Sequence, residues 1–258
     1  MMRVIISLVT RIIPRHYLHH VSHFFLQIIS LFYRGKNFED PITGITYRKL
    51  LPYGRLNSRK NALCPNSMSL ERHRLIWLYL KEKTNFFYDN IKFLHIAPEY
   101  CFIKRFKKLK NIEYVTGDLI SPWADVKMDI HDIPFNNDEF DVIMCNHVLE
   151  HVENDNKAMS EFFRVMKPGG WGIFQVPIDM NREETFDDPS ITDPKEREKH
   201  YWQNDHVRLY GKDYGKKLAS IGFDVIEDNY LKTLDITLVK RYALPENEII
   251  YLCKKPKI

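Results

Sequence analysis

The sequence predicts an α/β fold built on a largely parallel sheet, and two observations predict it. From Ile91 onward, short apolar runs alternate with amphipathic stretches, the pattern of strands connected through helices. Acidic residues recur just after those runs, and in open α/β sheets ligands bind beyond the carboxyl ends of the strands.

A chain of 258 residues that is 44% hydrophobic buries a full core, as one large domain or one domain with an appendage. It changes character near residues 35 and 90. Residues 1–34 read as an apolar N-terminal helix. The stretch between Arg15 and Arg34 carries no formal charge and approaches the length of a membrane span, and Phe24, Phe25, Leu26, Ile28, Ile29, Leu31 and Phe32 within it are strongly apolar. His16, His19, His20, His23 and Gln27 make it too polar for hydrocarbon. Two placements stand open: a peripheral helix on a membrane surface, flanked by Arg3, Arg11, Arg15, Arg34 and Lys36, or a helix packed on the folded body or capping its cleft. Pro14 and the lack of a small-residue cleavage site argue against a secretory signal.

Residues 35–90 open with turn formers, among them Pro41, Gly44, Pro52, Gly54, Asn57, Asn61 and Pro65, so irregular structure is expected there. A helix follows, with Ser69 as its cap and Glu71 in its first turn. Leu70, the Arg74 stem, Trp77, Leu78 and Leu80 supply its apolar side. In residues 91–258, strands are expected at 92–97, 112–116, 126–128, 140–146, 172–176, 223–229 and 248–254. The helix after the first strand has an apolar face of Phe102, Phe106 and Leu109. Its Lys104, Arg105, Lys107, Lys108 and Lys110 read as a solvated face, since no aromatic platform accompanies them.

With 38 basic against 34 acidic residues, the net charge of +4 is too small to point to a nucleic-acid partner. Cys64, Cys101, Cys145 and Cys253 are scattered, two of them in expected strands, which fits reduced thiols in a cytoplasmic setting better than a disulfide framework.

The strand ends carry the chemistry. They read His95-Ile96-Ala97-Pro98-Glu99-Tyr100, then Gly117-Asp118-Leu119, then Asp129-Ile130-His131-Asp132, then Asn146-His147-Val148-Leu149-Glu150-His151. A nucleoside accounts for this recurrence. One carboxylate accepts from both ribose hydroxyls, another from the adenine amino group, and backbone NH groups meet the ring nitrogens.

Asp129 through Phe135, Phe140-Asp141-Val142-Ile143, Val148-Leu149-Glu150-His151 and Arg164-Val165-Met166-Lys167-Pro168-Gly169-Gly170 stand in an order and at intervals that resemble class I methyltransferases dependent on S-adenosylmethionine (SAM). The likeness covers about residues 91–255. It implies a Rossmann-like, seven-stranded, mostly parallel sheet whose last strand pair is antiparallel, and SAM as cofactor. Carried over by position, it implies Asp118 with Leu119 at the ribose, Asp129 at the adenine amino group and Ile130 at the adenine ring. His95, Ala97 and Glu99 would border the methionine part, and Asn146 and His147 the sulfonium and methyl. One departure is the first loop, where the family carries glycines and this chain has Ala97-Pro98-Glu99, with Pro98 lacking an NH donor.

Upstream, Asn61-Ala62-Leu63-Cys64-Pro65-Asn66-Ser67 followed by Ser69 through Arg74 resembles relatives with a zinc ribbon before this helix. Ser67 stands where a second thiol belongs and 41–44 offers no other pair, so no metal is expected. Arg72, His73 and Arg74, with Glu71, read as an internal ion-pair cluster or, less favoured, as substrate contacts.

Methyl transfer is an in-line displacement, so a base is needed only for an acceptor that carries a proton. His147, His151 and His206 are the candidates by location. Residues 179–205 form a polar insertion, with Tyr201 and Trp202 near its end, expected to act as a substrate lid. The acceptor is read as a small molecule or one linked to lipid or glycan. Two rivals remain: a methyltransferase-fold protein that binds without catalysis, and a nucleotide-binding oxidoreductase.

Overall fold

The computed structural model describes residues 25–54 and 58–257, so most of the N-terminal helix expected over 1–34, with its membrane placement, lies outside the described residues. Residues 25–32 are helical, and among the described residues no helix is long and apolar enough to cross a membrane. The chain divides into two compact units. One takes the residues up to Thr84 with Tyr100–Arg105 and Leu231–Glu248; the other takes Asn85–Glu99, Phe106–Tyr230 and Ile249–Ile258.

In the first unit, the stretch expected to be irregular forms two short antiparallel pairs. Strand β1 (Arg34–Asp40) pairs with β2 (Ile45–Tyr47), and β3 (Leu51–Tyr53) with β4 (Arg59–Leu63). Pro41 and Gly44 lie between the two strands of the first pair, and Gly44, at φ +70°, closes its hairpin, while Pro52 and Asn61 fall within β3 and β4. Helix α1 (Glu71–Lys83) follows, with its boundary one residue later than expected. Leu70 holds the N-cap position, and its NH donates to His73 Nδ1 at 3.1 Å. Ser69 turns away to donate to Asp40 Oδ1 at 3.3 Å.

The expected ion-pair cluster is also corrected. Arg74 is fully buried and gives its guanidinium to the carbonyls of Ala62, Ser69, Tyr242 and Ala243 at 2.6–3.0 Å, while Glu71 pairs with Arg59 at 2.8 Å. A guanidinium with five donors can be satisfied by carbonyls alone, and here they converge from three segments.

The second unit holds a seven-stranded sheet in the order β10-β11-β9-β8-β5-β6-β7. Its strands are β5 (Ile91–Ile96), β6 (Ile112–Asp118), β7 (Val126–Lys127), β8 (Phe140–Asn146), β9 (Met166–Gln175), β10 (Asp224–Asp228) and β11 (Ile250–Lys254). β11 runs antiparallel to both β10 and β9, and every other pair is parallel. This is the Rossmann-like sheet the resemblance implies. β8 is buried along nearly its whole length, as a central parallel strand read as a continuous apolar run must be. β9 begins six residues earlier than expected, with a break in register between its pairings at Met166 and Trp171. At Gly170 a Cβ would stand 2.8 Å from the Asp141 carbonyl oxygen, so only glycine fits.

The helices are α2 (Tyr100–Phe106), α3 (Asp155–Val165), α4 (Pro194–Tyr201), α5 (Tyr214–Ile221), α6 (Tyr230–Thr233) and α7 (Ile236–Arg241), with a 3-10 turn at Leu149–His151. α3 buries Ala158, Met159, Phe162 and Val165 on one stripe, and Asn154 caps it by accepting from the Lys157 NH at 2.9 Å. The strand order reverses between β5 and β8: β6 and β7 extend to one side, β9 and β11 to the other. A crevice at that switch point, outside the carboxyl ends of the strands, is where this architecture places ligands.

Candidate functional site

The residues singled out in the sequence occupy the carboxyl ends of β5, β6, β7 and β8, four consecutive neighbours in the sheet. Main-chain hydrogen bonds tie those ends together. The Ala97 NH donates to the Gly117 carbonyl at 2.9 Å, the Met128 NH to the Asp118 carbonyl at 3.0 Å, and the His147 NH to the Gln175 carbonyl at 2.7 Å. Ala97 and His147 both have left-handed backbones, at φ +47° and +55°. Such conformations are costly for residues with a Cβ and persist only where the surroundings impose them, as ligand sites do. At Ala97 the loop takes up, without a glycine, a conformation that glycine adopts freely.

Glu99 is the hub of the switch point. One carboxylate oxygen meets His95 Nε2 at 2.5 Å, and the other accepts from Asn146 Nδ2 at 2.9 Å. His95 is fully buried, and its Nδ1 meets the Tyr114 hydroxyl at 2.8 Å. Asn146 is 5% exposed, and its Oδ1 has no hydrogen-bond partner among the described residues.

Asp118 accepts from the Ile120 and Ser121 NH groups on a single oxygen, at 2.7 and 2.6 Å, which orients its carboxylate at the end of β6. The next residue, Leu119, is exposed, and Ile130 is buried. Asp129 accepts from the His131 NH at 2.9 Å and from its ring at 2.7 Å, and that backbone contact followed by the imidazole holds its carboxyl below the usual range. Behind this loop, Glu161 accepts from the Ile133 NH, while Arg164 donates to the carbonyls of Ile133 and Phe135 at 2.8 Å.

The three histidines gather around Glu150, a residue that sequence reasoning quoted within a motif without giving it a role. Glu150 is 1% exposed, and one of its oxygens lies 3.4 Å from His147 Nδ1. Burial alone would raise its carboxyl pKa; the hydrogen bond from His147 and the nearby His151 outweigh it and hold the pKa below the usual range. His151 and His206 stack edge to face with ring centroids 4.7 Å apart. His206 is 1% exposed, and burial lowers its pKa.

Arg208, also missed, fixes the turn that carries these groups. Buried, it donates to the carbonyls of Leu149, Val152 and Glu153 and to Asp187 Oδ2. Its flanking by Val207, Leu209 and Tyr210 is the signal that could have found it. The 179–205 insertion is pinned along its length: Phe186 exchanges main-chain hydrogen bonds with Leu209, and the buried Tyr201 hydroxyl bonds the Asp188 backbone. The four cysteines are free and buried.

Residues 95–174, less than half of the chain, match a protein family described as a methyltransferase domain. Among curated relatives, uncharacterized protein MJ1123 of Methanocaldococcus jannaschii is 32% identical over 115 residues, which cover 45% of this chain and 53% of that protein. Demethylmenaquinone methyltransferase of Leptospira interrogans is 50% identical over 38 residues, 15% of either chain. The matches thus span about half the length of the first relative and much less of the second. Among solved structures, the [4+2]-cyclase SpnF superposes over 92% of this chain and 96% of its own with a TM-score of 0.53 at 13% identity, a likeness of fold.

Proposed function

We propose that the chain is a SAM-dependent methyltransferase acting on a small-molecule or lipid- or glycan-linked acceptor. The observation that carries this reading is the row of oriented polar groups, Glu99, Asp118, Asp129 and Asn146, at the ends of four adjacent strands around the switch point, inside the stretch that matches the methyltransferase domain.

The residues suit the cofactor. The Asn146 Oδ1 left unpartnered at the switch point is an acceptor for an ammonium or an NH donor. Asp118, oriented by two backbone NH groups, is an acceptor for a ribose diol. Asp129 and Ile130 would hold the adenine amino group and ring; His95, Ala97 and Glu99 would border the methionine part, and Asn146 with His147 the methyl end. When bound, SAM supplies an electrophilic methyl on a sulfonium. The protein's part is to align the acceptor's lone pair with it and, for a protonated acceptor, to take the proton at an imidazole of His147, His151 or His206. We assign the insertion at 179–205 as the acceptor-side lid; for residues 1–34 both placements, on a membrane surface or on the enzyme body, stay open.

Calorimetry with SAM, followed by transfer of labelled methyl into a cell extract, tests the reading. Binding and labelling are expected. Binding without labelling favours the catalytically silent alternative, which the fold shared with a cyclase keeps open because fold does not fix chemistry. Displacement of SAM by a nicotinamide dinucleotide would move the assignment to an oxidoreductase.

A further inference from the structure

The cluster around Glu150 contains more coordinating capacity than proton transfer uses. Glu150, His151 and His206 each offer one donor atom, and these atoms lie within 4.8 Å of one another. Glu150 Oε2 and His206 Nε2 are buried with no hydrogen-bond partner among the described residues. Both side chains are 99% shielded from solvent, given their 1% exposure, so these vacant acceptors are costly as they stand.

The tautomers are dictated by the neighbours. His206 Nδ1 sits 2.8 Å from the Tyr201 carbonyl, and His151 Nδ1 sits 3.2 Å from the Asp205 carbonyl. A carbonyl only accepts, so in each neutral ring Nδ1 carries the hydrogen and Nε2 the lone pair. Imidazoles that bind metals are arranged in this way, with the far nitrogen donating to a backbone carbonyl that fixes the ring.

We infer that Glu150, His151 and His206 form a binding site for a divalent first-row transition-metal ion. Two imidazoles and one carboxylate are the donor set such ions take while keeping further positions open for an exogenous ligand. The spacing is compatible with this: metal bonds of about 2.0–2.2 Å put tetrahedrally disposed ligand atoms roughly 3.4 Å apart, so donor atoms that lie within 4.8 Å of one another close on an ion by side-chain rotation, led by His151, the most exposed of the three. The site is separate from the Cys64 segment, and it departs from the expectation, drawn from the sequence, that the chain holds no metal. Its role in transfer, lowering the pKa of an acceptor hydroxyl bound at an open position and leaving the proton to His147, since the ion takes Nε2 of His151 and His206, rests on the methyltransferase reading; the binding of the ion does not.

The test uses the full chain, stripped with chelator, dialysed and titrated with Zn2+ by calorimetry and with Co2+ by visible absorption. One ion per chain is expected. His206→Asn keeps a donor toward the Tyr201 carbonyl while removing Nε2, and Glu150→Gln keeps the shape without the charge. Each is expected to weaken binding by at least about tenfold, the loss that even indirect support of a metal ligand typically carries. His151→Ala, on the more exposed member, covers the case in which either buried variant fails to fold. No binding by the wild type, or equal binding by folded variants, overturns the site. SAM titrations run in parallel separate the two claims: loss of SAM binding with the ion retained would end the methyltransferase reading and leave the metal site standing.

Discussion

Asn146 and Glu99 join the ends of β8 and β5 at the point where strand order reverses, through a hydrogen bond of 2.9 Å from the Asn146 amide to the Glu99 carboxylate. The same carboxylate engages the buried His95, which reaches Tyr114 through its other ring nitrogen. A line of polar groups thus runs from the second strand across the first to the fourth of the parallel set, with His95 and Glu99 as its two inner members, and Glu99 the one that joins the two strand ends.

Glu99→Ala therefore has a predictable cost. It leaves a fully buried imidazole nitrogen and a nearly buried amide without their acceptor, worth about 1–3 kcal/mol for each group stranded. A thermal melt is expected to show a fall of several degrees, at roughly 2–4 °C per kcal/mol for a protein of this size. Tyr114→Phe, which removes the outer partner alone, is expected to shift the melt less. Equal shifts for the two variants would show that Glu99 is not the centre of this line.

Asp118 and Asp129 separate binding from folding. Asp118→Asn retains an oxygen for the Ile120 and Ser121 NH groups but loses the charge toward a ribose, and Asp129→Asn loses an acceptor toward an adenine amino group. Hydrogen bonds to charged groups contribute about 1.5–3 kcal/mol, so each substitution is expected to weaken SAM binding on the order of tenfold to a hundredfold by calorimetry, with an unchanged circular dichroism spectrum. Wild-type affinity in both would remove the adenosine-binding role from this pair.

The Asp118 and Asp129 positions were legible in the sequence because strand ends follow apolar runs, and parallel strands such as β8 are apolar almost throughout. The ends of Phe140–Asn146 coincide with the expectation for the same reason. Glu150 and Arg208 were not legible as partners of the site. Their burial is set by contacts between the turn after β8 and a segment more than 50 residues later, and no local period encodes such a contact. The hairpins of residues 34–63 were hidden likewise, since their strands are three to seven residues long and broken by register shifts.

Arg208 gives a prediction about the turn that carries the histidines. Its guanidinium serves three carbonyls and Asp187, and lies 3.7 Å from the buried Asp155. Removing one partner of a buried charge pair typically costs about 3–5 kcal/mol. Lysine restores the charge without the fork. Arg208→Lys is expected to recover only part of the stability lost in Arg208→Ala, read from urea denaturation midpoints; full recovery would show that charge alone matters.

Glu161 links acid stability to the loop bearing Asp129 and Ile130. The Arg164 hydrogen bond, aided by the Ile133 NH, holds its carboxyl below the ordinary 4.5. A folded-state pKa below the unfolded one means that the stabilisation is complete above the ordinary glutamate range and is lost as pH falls through the folded value. Glu161→Gln is expected to lower stability at neutral pH and to flatten the decline in unfolding free energy below about pH 5. A variant whose stability falls with acid as steeply as the wild type would show that other carboxylates control this range.

Asp40 makes the corresponding case in the first unit. Its carboxylate is fully buried and accepts from the Thr43 hydroxyl at 2.8 Å, the Ser69 hydroxyl and Ile42 NH at 3.3 Å, and the Cys64 thiol at 3.5 Å. Ser69 in turn accepts from Arg74 at 3.4 Å, which connects the buried carboxylate to the buried guanidinium. The two hairpins and the start of α1 therefore converge on one anion. Burial, with the neighbouring Asp40 charge, pushes the Cys64 thiol up, so the thiolate is scarce and the residue is expected to be inert to thiol reagents in the native protein. Asp40→Asn replaces one acceptor oxygen by a donor amide and sets it against hydroxyl or thiol donors. The substitution is expected to cost at least about 2 kcal/mol and to accelerate labelling of Cys64 under native conditions, with Cys101, Cys145 and Cys253 as internal references. If Asp40→Asn melts with the wild type and Cys64 stays unreactive, the hairpins are held by their apolar contacts, and the carboxylate is incidental to them.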